Sequence, residues 1–197
     1  LAVLTAVYLV EYGKGKLARA ITFFVDVMTG IPSIVAGLFA FALFALFFGP
    51  GVRMGFMGSV ALCVLMIPVV VRSTEEMLKI VPNELREAAY ALGVPKWRTI
   101  MKVVLPTSVA GIASGITLAI ARVVGETAPL LIAVGITTRV NFNPFDGRTA
   151  TLPVFSYYSY VAPGVPREPF IDRAWTAALV LIIFVMVLNL AARLIAR

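Results

Sequence analysis

Pro82-Asn83-Glu84-Leu85-Arg86-Glu87-Ala88-Ala89-Tyr90-Ala91-Leu92-Gly93-Val94-Pro95-Lys96-Trp97-Arg98-Thr99-Ile100-Met101-Lys102-Val103-Val104-Leu105-Pro106 is the stretch on which the fold turns. It is too polar to cross a membrane and too patterned to be disordered. Leu85, Ala88, Ala89 and Leu92 fall at i, i+3, i+4 and i+7, which predicts one apolar stripe on a helix. Glu84, Arg86 and Glu87 lie outside that stripe. Pro82 opens the helix, and Gly93 supplies the left-handed residue that commonly closes one. Pro95 starts a second helix, expected over Lys96–Val104 and running on into Leu105-Pro106.

On both sides of this hairpin the chain turns apolar. Gly55–Val71 before it and Val103–Ala121 after it carry no charge. Farther out, Val27–Val52, Thr127–Thr138 and Ala174–Ala192 are also uncharged. A bilayer core takes about 20 apolar residues in a helix, so each run is read as a span. The span in the first of them is expected over Pro32–Phe48, about 25 Å at helical rise. Leu17–Thr29, ahead of it, either lies along the interface or extends that helix inward. Leu1–Val10 is apolar up to Glu11 and lacks the basic start of a signal peptide. It reads as the second half of a spanning helix, so the chain is expected to be N-terminally incomplete.

Composition agrees. Of 197 residues, 60% are hydrophobic and 14% charged, and the mean hydropathy is +0.97. A soluble domain carries about a quarter charged residues, so the solvent is lipid. The chain has no histidine and one cysteine, which removes imidazole chemistry, zinc sites of the usual kind and internal disulfides. No metal site or cofactor is expected. Cys63, inside an apolar run, is expected to be a small buried residue.

The net charge of +7 reports topology. Lys14, Lys16, Arg19, Arg72, Lys79, Arg86, Lys96, Arg98, Lys102, Arg193 and Arg197 fall on one side of the expected spans. Arg53, Arg139, Arg148, Arg167 and Arg173 fall on the other, so eleven positive charges face five. The positive-inside rule makes the richer side, with the C-terminus, cytoplasmic. Nucleic-acid binding is thereby set aside. The outer segment 140–173 is rich in proline and holds Tyr157, Tyr158 and Tyr160. It is expected to lack regular structure, and serves as an interfacial aromatic belt, as a docking surface for an external partner, or as both.

A second informative run is Arg122-Val123-Val124-Gly125-Glu126-Thr127-Ala128-Pro129-Leu130-Leu131. Arg122 and Glu126 are spaced to meet on one helical face. Gly111, Gly115 and Ala119 continue that face as a row of small residues that lets another helix or a substrate path come close. Pro129 is expected to break or kink the helix just beyond the pair. A charged pair within a span faces the bundle or an aqueous path. It either locks helices together or serves an anion, for which arginine's planar fork is suited.

Glu87-Ala88-Ala89, then Gly93, Val103 and Leu105-Pro106, resemble the EAA signature of binding-protein-dependent importer permeases at every spacing, with valine for isoleucine at 103. The Arg122–Leu131 run, Gly30-Ile31-Pro32-Ser33-Ile34-Val35-Ala36-Gly37-Leu38 and Thr149-Ala150-Thr151-Leu152-Pro153-Val154 are similar to the phosphate-uptake permeases of the PstA type. The resemblance implies an all-α, polytopic transmembrane helix bundle of the type I ABC importer (MetI-like) class, a single domain over residues 1–197 whose first spanning helix is missing. It implies a coupling loop at 75–104, with Glu87, Ala88, Ala89 and Gly93 facing the ATPase, and a substrate path at Arg122 and Glu126. It implies as partners a second related permease, two cytoplasmic ATPase subunits that bind the ATP, and an external phosphate-binding protein. A permease for sulfate or molybdate stays open, as does a passive channel or scaffold. The chain has no Walker-type glycine loop and is expected to be a non-catalytic subunit.

Overall fold

A computed structural model describes residues 1–195. Arg197, counted above among the cytoplasmic charges, lies outside the described residues. The elements in chain order are α1 (Ala2–Val7) with a π-helical turn at Tyr8–Tyr12, α2 (Lys16–Thr29), α3 (Ser33–Phe48), α4 (Gly55–Ile80), α5 (Asn83–Ala91) and α6 (Lys96–Thr99). A second π-helical turn at Ile100–Val104 joins α6 to α7 (Leu105–Val124). Then follow α8 (Ala128–Ala133), α9 (Leu152–Val161) and α10 (Glu168–Ile195). No strand occurs among the described residues.

Among the described residues, three helices are long and apolar enough to cross a membrane: Gly55–Ile80, Lys96–Val124 and Glu168–Leu194. Their surfaces suit lipid. Leu179, Ile182, Ile183, Phe184, Met186 and Leu190 of α10 are all exposed, which water would penalise and hydrocarbon does not. The chain is a membrane protein.

Helix limits follow local chemistry. Pro32 caps α3 with an extended ψ of 137°, as its sequence position predicted. The preceding α2 is a separate helix that stops at Thr29, broken from α3 by Gly30-Ile31-Pro32. Pro106 has no N–H to offer the Lys102 carbonyl and crowds it, and the helix widens into the π turn immediately before it.

Three expectations fail. The run Thr127–Thr138 is not a span: only Ala128–Ala133 is helical, and Gly135 at φ +74° turns the chain out. The segment 140–173 is not irregular throughout, because Leu152–Val161 is a helix and α10 begins at Glu168. Pro153 sits in the first turn of α9, where a missing N–H has no helical bond to lose. Cys63 is exposed, because an apolar run in a membrane protein says nothing about which face looks inward.

The chain forms two compact units. One comprises Leu1–Thr29, Ile67–Ile120 and the residues from Leu188 on. Its core is Ala6, Val25, Val71, Leu78, Val81, Val104 and Ile112. Here α7 packs closely on α4. A Cβ on Gly111 would lie 2.3 Å from Met77 Sδ, and one on Gly115 would lie 2.7 Å from Ser73 Oγ. The small-residue row thus admits a neighbouring helix as its spacing predicted.

The other unit comprises Gly30–Met66 and Ala121–Val187. Its core is Ala40, Phe44, Met54, Met57, Ala61, Leu130, Ala133, Val134 and Val154. The short α8 is its centre, with Pro129, Leu130 and Ala133 buried. The segment around 141–148 is held by its own asparagines. Asn141 Nδ2 donates to the carbonyls of Asp146 and Arg148 at 2.6 and 3.1 Å, and the Phe145 amide donates to Asn143 Oδ1 at 3.0 Å.

Candidate functional site

The polar hairpin folds as its punctuation dictates. Pro82, at ψ 143°, keeps the chain extended until Asn83 begins α5. After the C-cap Leu92, Gly93 takes φ +73°. The Gly93 amide donates to the Tyr90 carbonyl at 2.9 Å and the Val94 amide to the Ala89 carbonyl at 3.1 Å. These are the paired bonds of a Schellman motif, which satisfies the last carbonyls of the helix. Pro95 then caps α6 with ψ 150°.

The stripe on α5 divides in two. Ala89 packs inward at 8% exposure, while Leu92 stands out at 83%. Leu85, Glu87, Ala88 and Gly93 are exposed too. Tyr90, Trp97 and Met101 add further uncovered apolar surface to the hairpin. These apolar side chains stand on a short helix that the described residues of the chain leave bare. Glu87 enters no ion pair among the described residues, so its charge is free for a partner.

Arg122 and Glu126 are not brought together. Helix α7 ends at Val124, and the Gly125 and Glu126 amides close tight turns onto the Arg122 and Val123 carbonyls at 3.2 and 3.1 Å. The two residues therefore do not share a helical face, and they form no ion pair among the described residues. Arg122 is exposed and Glu126 half-buried. The helix ends at Val124, ahead of Pro129, which has no N–H to bond the Gly125 carbonyl. Pro129 lies beyond the break, in the first turn of α8, where it starts a helix and kinks none.

The residues after the break are firmly seated. A Cβ on Gly37 of α3 would fall 2.6 Å from Pro129 Cα, and one on Gly58 of α4 would fall 2.3 Å from Val134 Cγ2. The Gly-Glu-Thr turn thus stands at the edge of a tightly packed platform.

Sequence reasoning missed two charged groupings. Arg72 bonds Glu75 at 2.7 Å and also Asp26, and Arg86 bonds Glu11 at 3.0 Å. Glu75 and Glu11 are buried. The Arg72–Glu75 spacing was visible in the sequence, but the Asp26 and Glu11 contacts join segments 46 and 75 residues apart.

Comparison with known proteins gives a consistent result. The chain is 53% identical over 195 residues to the phosphate transport system permease protein PstA 1 of Mycobacterium tuberculosis, covering 99% of this chain and 63% of that protein. It is 39% identical to PstA of Pasteurella multocida, covering 98% of this chain and 68% of the relative. The chain thus spans about 63% of the length of the mycobacterial relative. In fold it matches a subunit chain from the inward-facing MetNI methionine ABC transporter with a TM-score of 0.79 at 22% identity, over 100% of this chain and 85% of that one. Over residues 1–197 it matches the family described as binding-protein-dependent transport system inner membrane component, and it belongs to that family.

Proposed function

We propose that this chain is a transmembrane permease subunit of an ATP-driven importer that moves inorganic phosphate into the cytoplasm. The observation that carries the reading is the hairpin at Asn83–Val94. Glu87, Ala88 and Leu92 are exposed on a short helix closed by a left-handed Gly93, the form a dock for a cytoplasmic ATPase needs. Ala88 allows close approach there, and the buried Ala89 seats the helix. Relatives named as phosphate transport permeases support phosphate as the substrate. The chain itself is non-catalytic in this reading, with ATP bound by two partner ATPase subunits. A second, related permease and an external phosphate-binding protein complete the importer.

In this reading residues 1–197 act as one transmembrane domain, with the 75–104 loop and the C-terminus on the cytoplasmic side, as the charge asymmetry supports. Arg122 and Glu126 line the substrate path, one on each side of the Gly125 turn. Phosphate carries one to two charges near neutral pH and is strongly hydrated, so a low-dielectric path must offer a compensating cation. An exposed arginine with no carboxylate on it among the described residues presents its fork to an oxyanion. The test is uptake of phosphate into vesicles holding the reconstituted complex, with sulfate as competitor. ATP-dependent phosphate uptake that sulfate leaves unchanged is the expected result. Sulfate transport in its place would overturn the assignment.

A further inference from the structure

The first segment of the chain ends on a buried carboxylate. Glu11 is 8% exposed and sits in the π turn that closes the first helix. Arg86, one residue before Glu87, reaches it from α5. Arg86 Nε and Nη2 both donate to Glu11 Oε1, at 3.3 and 3.0 Å. The same guanidinium also donates to the Leu78 carbonyl at 3.0 Å, the Val81 carbonyl at 2.6 Å and Asn83 Oδ1 at 3.2 Å. One side chain thereby ties the end of the first helix, the last turn of α4 and the start of α5.

The other arm of the hairpin arrives at the same place. Lys96, just past Pro95, donates its ammonium to the Glu11 carbonyl and lies 4.8 Å from the centroid of the Tyr12 ring. Both arms that flank the Gly93 turn therefore end on two consecutive residues, Glu11 and Tyr12. A buried carboxylate that loses its partner is left as an uncompensated charge, which is strongly unfavourable. The hairpin cannot shift against the first helix without breaking that contact.

We propose that Glu11, Arg86 and Lys96 form a latch that makes the hairpin and the first helix one rigid lever. A push delivered to α5 is then passed directly to the membrane-spanning part. These are positioning residues, and none is placed against substrate. The inference rests on the reading of α5 as the ATPase dock.

The experiment uses the assembled complex in vesicles and reads phosphate moved per ATP hydrolysed. Arg86→Gln and Lys96→Gln are each expected to keep ATP hydrolysis while this ratio falls, by about tenfold for Arg86→Gln, within the range of measured coupling energies. A Glu11→Cys, Arg86→Cys variant in a Cys63→Ser background, bridged by a short thiol crosslinker, restores the connection without restoring the charges. Recovery of the ratio on bridging supports a mechanical latch. An unchanged ratio in both single variants, or an assembled bridged variant that stays uncoupled, overturns it. Where Arg86→Gln fails to assemble, Lys96→Gln and the bridged variant decide. Crosslinking of Leu92→Cys to the ATPase subunit tests the dock separately. Its absence would remove the docking reading and the lever with it, whereas docking combined with an unchanged ratio sinks the latch alone.

Discussion

Gly37 and Pro129 pack backbone to backbone: a Cβ on Gly37 would lie 2.6 Å from Pro129 Cα and 2.9 Å from its carbonyl oxygen. Backbone cannot yield as a side-chain tip does. Gly37→Ala is therefore expected to destabilise the protein by about 1–3 kcal/mol, the usual range for overpacking. Gly58→Ala meets Val134 Cγ2 and Leu130 Cδ2, which are side-chain atoms, and should cost less. Thermal unfolding of the detergent-solubilised complex orders the two. A Gly58 variant clearly less stable than the Gly37 variant would contradict this account.

Gly93 poses the opposite case. Nothing lies within 4 Å of a Cβ built there, yet φ is +73°. The penalty for substitution is all backbone, about 1–2 kcal/mol for a residue with a Cβ. Gly93→Val should insert and assemble while phosphate uptake fails and ATP hydrolysis stops responding to the loaded binding protein. Gly93→Asn, which tolerates the left-handed region, should retain most transport. Glu87→Lys, reversing a contact charge, should resemble the valine variant. Wild-type uptake by both Gly93→Val and Glu87→Lys would show that this hairpin is not the coupling element.

Arg122→Gln is expected to abolish phosphate uptake at normal expression. Arg122→Lys should recover only part of it, because an ammonium lacks the two-pronged donor. Because no ion pair joins Arg122 to Glu126, Glu126→Gln should leave assembly intact and change the rate only. The deciding measurement is uptake by the double variant Arg122→Gln, Glu126→Gln. Full transport by that protein would end the assignment of Arg122 to the anion.

Orientation is tested by labelling. In a Cys63→Ser background, a cysteine replacing Lys79 should react with a membrane-impermeant reagent only from the cytoplasmic side. One replacing Asp146 should react only from outside. The reverse pattern would invert the proposed topology.

What could be read from the sequence was what short-range chemistry decides. Pro82 and Pro95 mark their helix limits because each fixes its own backbone, and Gly93 because it alone enters the left-handed region without strain; the structure places the limits there. The row Gly111, Gly115, Ala119 was legible as a face for close approach because small residues recur at helical spacing, and the structure puts α4 side chains against Gly111 and Gly115. Arg122 and Glu126 misled for a related reason. Their spacing satisfies a helix, but α7 ends at Val124, between them, and the spacing no longer applies. Helix α9 was hidden because Pro153 and three tyrosines read as loop and belt. The Glu11–Arg86 contact was out of reach altogether, since no local pattern links residues 75 positions apart.

The widened turn at Ile100–Val104 also fixes a phase. A π turn holds one residue more than the α-helix would, and one residue is worth about 100° of rotation about the axis. The face that α6 presents and the face along Gly111 and Gly115 are therefore offset by that step. Deleting the exposed Lys102 would remove that step and turn the two faces out of alignment, while the buried Ile100 and Val104 are kept.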